Sequence, residues 1–317
     1  MKTFYAQIAL FFSIQATLAV LLLATYDLPR ETNYLASTID KHRWLHQTPS
    51  PRIILVGGSN LPFGIQSELL EAAAHRPVVN MGITAMLGVK YLLDEVRGEI
   101  RKGDLVILSL EYDFIHGGYG PVQLQQVMEY RPANLLYLDA ATAYDCFLHR
   151  SLPYAGQILR RSVREWLHAP LKPTTDESIY SRFGYNRQGD MTNHYGKASV
   201  LSLADEKVWR RKWPATVLAQ KSRGYLVDFA DYCHRQGAVV VFTCPPHHRT
   251  LVEAKSNQLA QIMSGLKSIP FLTVLDTPED QAYPGADFFD THYHLMDKVA
   301  RQRTEQLIAR LRDHGLL

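Results

Sequence analysis

The chain has 317 residues, 46% of them hydrophobic, with a formal net charge of +3 at pH 7. That length buries a full core, as one large domain with insertions or as two domains. The basic residues are scattered rather than striped, which excludes a nucleic-acid partner. The three cysteines, Cys146, Cys233 and Cys244, form no CxxC pair, which argues against a thiolate zinc site or a disulfide framework.

Residues 8–25 carry no charge and are rich in Leu, Ala and Phe. About 20 such residues cross the hydrocarbon core of a bilayer. Lys2 precedes the run, and Asp27, Arg30 and Glu31 follow it. The positive-inside rule then keeps the N-terminus cytoplasmic and exports the rest. The sequence therefore predicts an uncleaved signal anchor, one transmembrane helix over 1–26. A cleaved signal peptide and a buried core helix are the alternatives. Residues 27–50 are polar and read as a tether with a short helix.

The domain proper is expected over 51–317. Apolar runs predict strands over 52–56, 77–82 and 105–110, with helices over 66–74 and 91–101 between them. From about 116 to 213 the alternation stops, and a Tyr-, Arg- and Pro-rich insertion is expected, with a helix over 156–167 and loops over 170–175 and 186–195. The alternation then resumes: helix 215–236, strand 238–242, helix 251–269, strand 271–275 and helix 296–312. Strands alternating with helices imply an α/β fold with a parallel sheet covered on both faces.

In such a sheet, sites form outside the carboxyl ends of the strands. Ser59, Gly82, Glu111 and Cys244 all follow predicted strands at that end. Ser59 comes directly after Gly57-Gly58. A serine hydroxyl is a weak nucleophile unless a histidine takes its proton and a carboxylate fixes the histidine. Asp290 and His294, before the last helix, are the candidates. On its own Ser59 reads equally as a helix N-cap. His292 is an alternative base, and Asp287 a second acid. The same cluster could hold zinc, but no further ligand pair is evident. Cys244 reads as a small buried apolar residue.

Four segments occur in order: Gly57-Gly-Ser59-Asn-Leu-Pro-Phe-Gly64, Asn80-Met-Gly82, the run Gly103 to Tyr112 with Glu111, and Phe288-Phe-Asp290-Thr-His-Tyr-His294-Leu295. Together they resemble the SGNH/GDSL hydrolase superfamily. Within it they are similar to the membrane-anchored extracytoplasmic branch, which includes proteins of polysaccharide O-acetylation and lipoteichoic-acid modification. The resemblance implies a three-layer α/β/α, flavodoxin-like sheet with a mostly helical insertion. It implies Ser59 as nucleophile, His294 as base, Asp290 as its orienting carboxylate, and the Ser59 and Gly82 amides as the oxyanion hole. Asn60, Asn80, Glu111 and Tyr112 are the expected substrate-binding residues.

Two departures stand out. The family spaces its acid and base as Asp-x-x-His, whereas here one more residue intervenes. Its third block carries an asparagine that donates to the oxyanion, whereas here stands Glu111-Tyr112-Asp113. A carboxylate cannot donate unless protonated, so Glu111 also reads as a buried anchor for the insertion. The loop 186–194 and the aromatic residues Trp209 and Trp213 could bind a sugar, with a solvated loop and packing as the plainer readings.

The expected activity is that of an extracytoplasmic serine esterase or O-acyltransferase acting on an acyl ester, an acetyl ester foremost, of a cell-surface glycan. The alternative is a weak or inactive accessory protein on the same fold, binding glycan or docking on a membrane-bound O-acyltransferase. The expected partners are an acylated glycan or small ester, and the membrane through the N-terminal helix. No metal or organic cofactor is implied.

Overall fold

The computed structural model describes residues 2–24, 32–146, 179–201 and 218–317. The expected helix 156–167, the loop 170–175, Trp209 and Trp213 lie outside them. The elements in chain order are α1 (Lys2–Ala24), α2 (Ser37–Gln47), β1 (Ile53–Gly57), α3 (Ser67–Ala74), β2 (Val78–Asn80), α4 (Val89–Arg97), β3 (Leu105–Ser109), α5 (Pro121–Tyr130) and α6 (Ala140–Tyr144). After them come α7 (Gln220–Arg235), β4 (Val239–Phe242), β5 (His247–His248), α8 (Arg249–Ala254), α9 (Ser256–Lys267), β6 (Leu272–Val274), β7 (Ala282–Tyr283) and α10 (Asp297–Asp313).

Five strands form one sheet in the order β2-β1-β3-β4-β6, and every pair in it is parallel. Ile53 lies in register with Val78 on one side and Leu105 on the other. The runs are apolar throughout because both faces are covered. Ile54, Val56, Val106, Leu108, Val240 and Phe242 join the core under α4, α7 and α9. The alternate residues Ile53, Leu55, Leu105, Ile107 and Val241 join a second core with Leu70 of α3 and Leu307, Ile308 and Leu311 of α10. The period of two along each strand thus feeds two helix layers. The chain runs from β1 outward to β2 and then crosses to β3 on the other side of β1. Open parallel sheets bind ligands at such a reversal, outside the carboxyl ends of the strands, here β1 and β3.

Three expectations change at the element level. The spanning segment expected over 1–26 is not found: Lys2–Ala24 is helical, but among the described residues no helix is long and apolar enough to cross a membrane. The tether expected over 27–50 is, from Asn33 on, part of the domain, because its apolar side chains have a core to enter. Leu35, Ala36 and Leu45 are buried, and so are the polar Ser37, Thr38 and Lys41. The helix expected over 251–269 is two helices, broken at Lys255, whose backbone leaves the helical region (φ −119°, ψ 16°).

Candidate functional site

β1 delivers the chain to a tight turn. The Phe63 N–H donates to Ser59 O (3.2 Å) and the Ile65 N–H to Leu61 O (3.0 Å). No helix begins at Ser59. The following helix α3 starts at Ser67 after Gln66, so the N-cap reading of Ser59 does not hold. The two glycines are there for room. A Cβ on residue 57 would lie 2.0 Å from Ser109 O, and one on residue 58 would lie 2.3 Å from Glu111 Oε1. Ser59 is partly exposed between the buried Gly58 and Asn60. Among the described residues neither its hydroxyl nor its N–H has a hydrogen-bond partner.

The buried Glu111 explains how that turn is held. Its Oε2 accepts the Gly58 N–H (3.1 Å) and its Oε1 the Asn60 N–H (3.0 Å). It therefore anchors the serine turn, not the insertion. Burial pushes its carboxyl above the usual range, and the bonds from Asn60 and Gly58 pull the other way. Asn60 is committed too: its Nδ2 donates to Ser109 O (2.9 Å), and its Oδ1 accepts from Ser109 Oγ (2.8 Å). Arg303 of α10, fully buried, ties the strand ends together. It donates to Asn60 O (3.1 Å), Ser109 Oγ (3.1 Å) and Cys244 O (3.1 Å).

The late Asp and His meet as expected. The loop between them closes on itself, with the Phe289 N–H donating to His294 O (2.8 Å) and a bridge pairing Phe288 with Leu295. This closure accommodates the additional residue in the Asp-to-His spacing. His294 Nδ1 lies 2.7 Å from Asp290 Oδ1. The Tyr180 hydroxyl donates to Asp290 Oδ2 and lies 3.2 Å from His294 Nδ1. Burial alone would raise the Asp290 carboxyl, but the charge and bond of His294 and the Tyr180 hydroxyl bring it below its ordinary value. With Asp290 ionised, the shared proton sits on Nδ1 and Nε2 is the basic nitrogen. No hydrogen bond joins His294 to Ser59 among the described residues.

The two halves touch through Phe63, which leaves the serine turn and stacks on the His294 ring, centroids 3.9 Å apart and planes 8° from parallel. His194 packs against Phe63 from the insertion, at 4.8 Å. His292, the alternative base, turns instead to Asp113 (3.2 Å), so it has a carboxylate of its own. Asp287 is not in the dyad.

The second block is bound to the insertion. The Gly82 N–H, an expected oxyanion donor, donates to Asn80 Oδ1 (3.1 Å). Asn80 Nδ2 donates to Asp190 Oδ1 (2.9 Å), and Asp190 also accepts from the Ser67 N–H (2.6 Å) and hydroxyl (2.5 Å). The buried Lys41 donates to Asn80 O (2.7 Å) and Gly189 O (2.7 Å). The loop 186–194 is therefore a clamp, not a solvated loop, with Gln188, Asp190 and His194 buried.

Of the expected site residues, the structure brings together Asp290 and His294, and sets the Ser59 turn against them. The four expected substrate contacts sit behind this face: Asn60, Asn80, Glu111 and Tyr112 are all buried. The first three are consumed by scaffold bonds, and Tyr112 is packed in the core. The buried Cys244 gives its N–H to Asp276 Oδ1 (2.6 Å). Tyr180, Phe63, Arg303 and Lys41 were not foreseen. Phe63 lay inside the first motif, whereas Tyr180 and Lys41 carried no spacing signal at all. Among the described residues no group of three His, Cys, Asp or Glu is arranged to hold a metal ion. No protein-family model matches this chain, and no curated protein matches it.

Proposed function

We propose that the chain is an SGNH-type serine esterase or O-acyltransferase. The observation that carries this is the 2.7 Å Asp290–His294 dyad with Phe63, from the Ser59 turn, stacked on its imidazole. Ser59 Oγ attacks the acyl carbonyl, and His294 Nε2 takes its proton and later returns it to the leaving oxygen. Asp290 holds the tautomer and stabilises the imidazolium. The unpartnered Ser59 N–H is the oxyanion donor at hand; the Gly82 N–H must leave Asn80 to add a second. Water or a sugar hydroxyl then accepts the acyl group.

The surface glycan as substrate, its acetyl ester foremost, rests on the family resemblance. Extracytoplasmic placement and membrane attachment rest on the charge-free run 8–25. They are supported by the apolar side chains that the first helix leaves exposed, among them Phe4, Leu10, Phe11 and Phe12.

The test is labelling of the chain by a fluorophosphonate, comparing wild type with Ser59→Ala and His294→Ala. Labelling of wild type alone supports the reading. Equal labelling of Ser59→Ala means another nucleophile. Absence of labelling in folded wild type favours the second reading, an accessory protein that binds glycan or docks on a membrane-bound O-acyltransferase. That reading is favoured by one observation, the oxyanion donor that Glu111 cannot supply.

A further inference from the structure

We infer that Glu111 is a positioning residue, fixing the serine turn so that the Ser59 N–H faces the reacting oxygen. It thereby serves, indirectly, the role that a donor side chain after β3 would serve directly. This rests on the serine-nucleophile reading above.

The geometry is specific. One carboxylate takes the N–H of residue 58 on one oxygen and that of residue 60 on the other. With the amides of i and i+2 both committed to this carboxylate, the amide of i+1 is the one left uncommitted in the turn. That amide belongs to Ser59, the exposed member of the three, and it is the one without a partner among the described residues. Both captured groups are donors, so the captor must accept at two separate atoms. An ionised carboxylate does so, and a side-chain amide, with one oxygen and one NH2, does not.

The surroundings are built for this contact. Glu111 follows β3 and Ser59 follows β1, the adjacent strands at the point where the strand order reverses. Residue 58 must be glycine, since a Cβ there would lie 2.3 and 2.4 Å from the two carboxylate oxygens. A buried negative charge would oppose a forming oxyanion. The Arg303 guanidinium, bonded to Asn60 O and Oδ1, supplies the opposite charge in the same cluster.

The test uses the full chain with Glu111→Gln and Glu111→Asp, the second keeping the charge but shortening the reach. Two readouts are taken: the pH profile of fluorophosphonate inactivation, resolved into its maximal rate and half-saturating concentration, and amide hydrogen exchange of the peptide spanning 53–63. Glu111→Gln should lower the maximal rate about 10- to 100-fold, somewhat less than loss of a direct oxyanion donor. The half-saturating concentration and the pH midpoint should stay put, and exchange in the peptide should rise. Glu111→Asp should move both readouts in the same direction. A variant that melts earlier yet, when folded, reacts at the wild-type rate would overturn the inference. So would a change confined to the half-saturating concentration, which would make Glu111 a substrate contact. If wild type itself does not react, the serine reading falls and this inference with it. If wild type reacts and both variants match it, only this inference falls.

Discussion

Phe63 and His294 lie face to face, their ring centroids 3.9 Å apart. Phe63 belongs to the turn that carries Ser59, and His294 to the loop that carries Asp290. On the mechanism proposed above, the stack is what positions the Ser59 turn against His294. Phe63→Leu keeps the volume apolar but loses the flat face. It should slow acyl transfer to a small ester such as p-nitrophenyl acetate by roughly 10- to 100-fold, the scale on which small misplacements act. Phe63→Ala should also cost about 3–5 kcal/mol of stability, as for a buried phenylalanine. Wild-type turnover in folded Phe63→Leu would show that the stack does not position the base.

Asp290→Asn tests the dyad itself. Asparagine replaces one of the two acceptor oxygens by an NH2 donor and removes the charge, so it can donate to Nδ1 and favour the wrong tautomer. Turnover of the same ester should fall by about 10³–10⁴-fold with little change in KM. Tyr180→Phe removes one donor from Asp290 and should slow turnover about tenfold, or about 1.4 kcal/mol in the barrier. A Tyr180→Phe loss as large as that of Asp290→Asn would instead make the tyrosine a reacting group.

The sheet was legible because β1, β3 and β4 are buried on both faces, and such strands read as unbroken apolar runs. Ser59, Asp290 and His294 were legible for a related reason: they follow strand ends or precede the last helix. What the sequence did not disclose is how these groups are held. Lys41 sits in a polar stretch that reads as a tether, and only the fold brings Asn80 and Gly189 to its ammonium. Tyr180 reaches Asp290 across 110 residues. From the sequence Glu111 reads as an anchor for the insertion or a substrate contact, because nothing in a one-dimensional pattern says that its two oxygens face the amides on either side of Ser59.

Gly189 is where the insertion clamp is most exposed to a single change. Its φ is +102°, and an added Cβ would lie 2.3 Å from Asn80 O and 2.8 Å from Lys41 Nζ. The backbone oxygen cannot give way without moving the chain, and Lys41 Nζ could move only by giving up its bonds to Asn80 O and Gly189 O. Gly189→Ala should destabilise the protein by about 1–3 kcal/mol or more, from overpacking and left-handed strain together. The same change should loosen the Asn80–Gly82 loop and lower esterase turnover. A thermal melt unchanged from wild type would mean that the clamp yields without cost.

His194 makes stability depend on pH in a definite window. Burial, and the neighbouring His294 charge, lower its value from 6.5 to about 4, against a weaker pull upward from Leu295, Asp290 and Asp297. Above about 6.5 the ring is neutral in both the folded and the unfolded chain. Between about 6.5 and 4 the unfolded chain takes the proton and the folded chain does not. Stability therefore falls as pH drops through that range, and below about 4 this group contributes no further loss. His247, also buried and lowered well below its ordinary value, acts in the same direction, whereas the lowered Asp290 contributes stability that is lost only under stronger acid. His194→Phe keeps a ring against Phe63 and removes the titration. Urea midpoints measured at pH 7 and pH 5 should differ less in the variant than in wild type. An equal difference in both proteins would leave His194 without a part in the acid sensitivity.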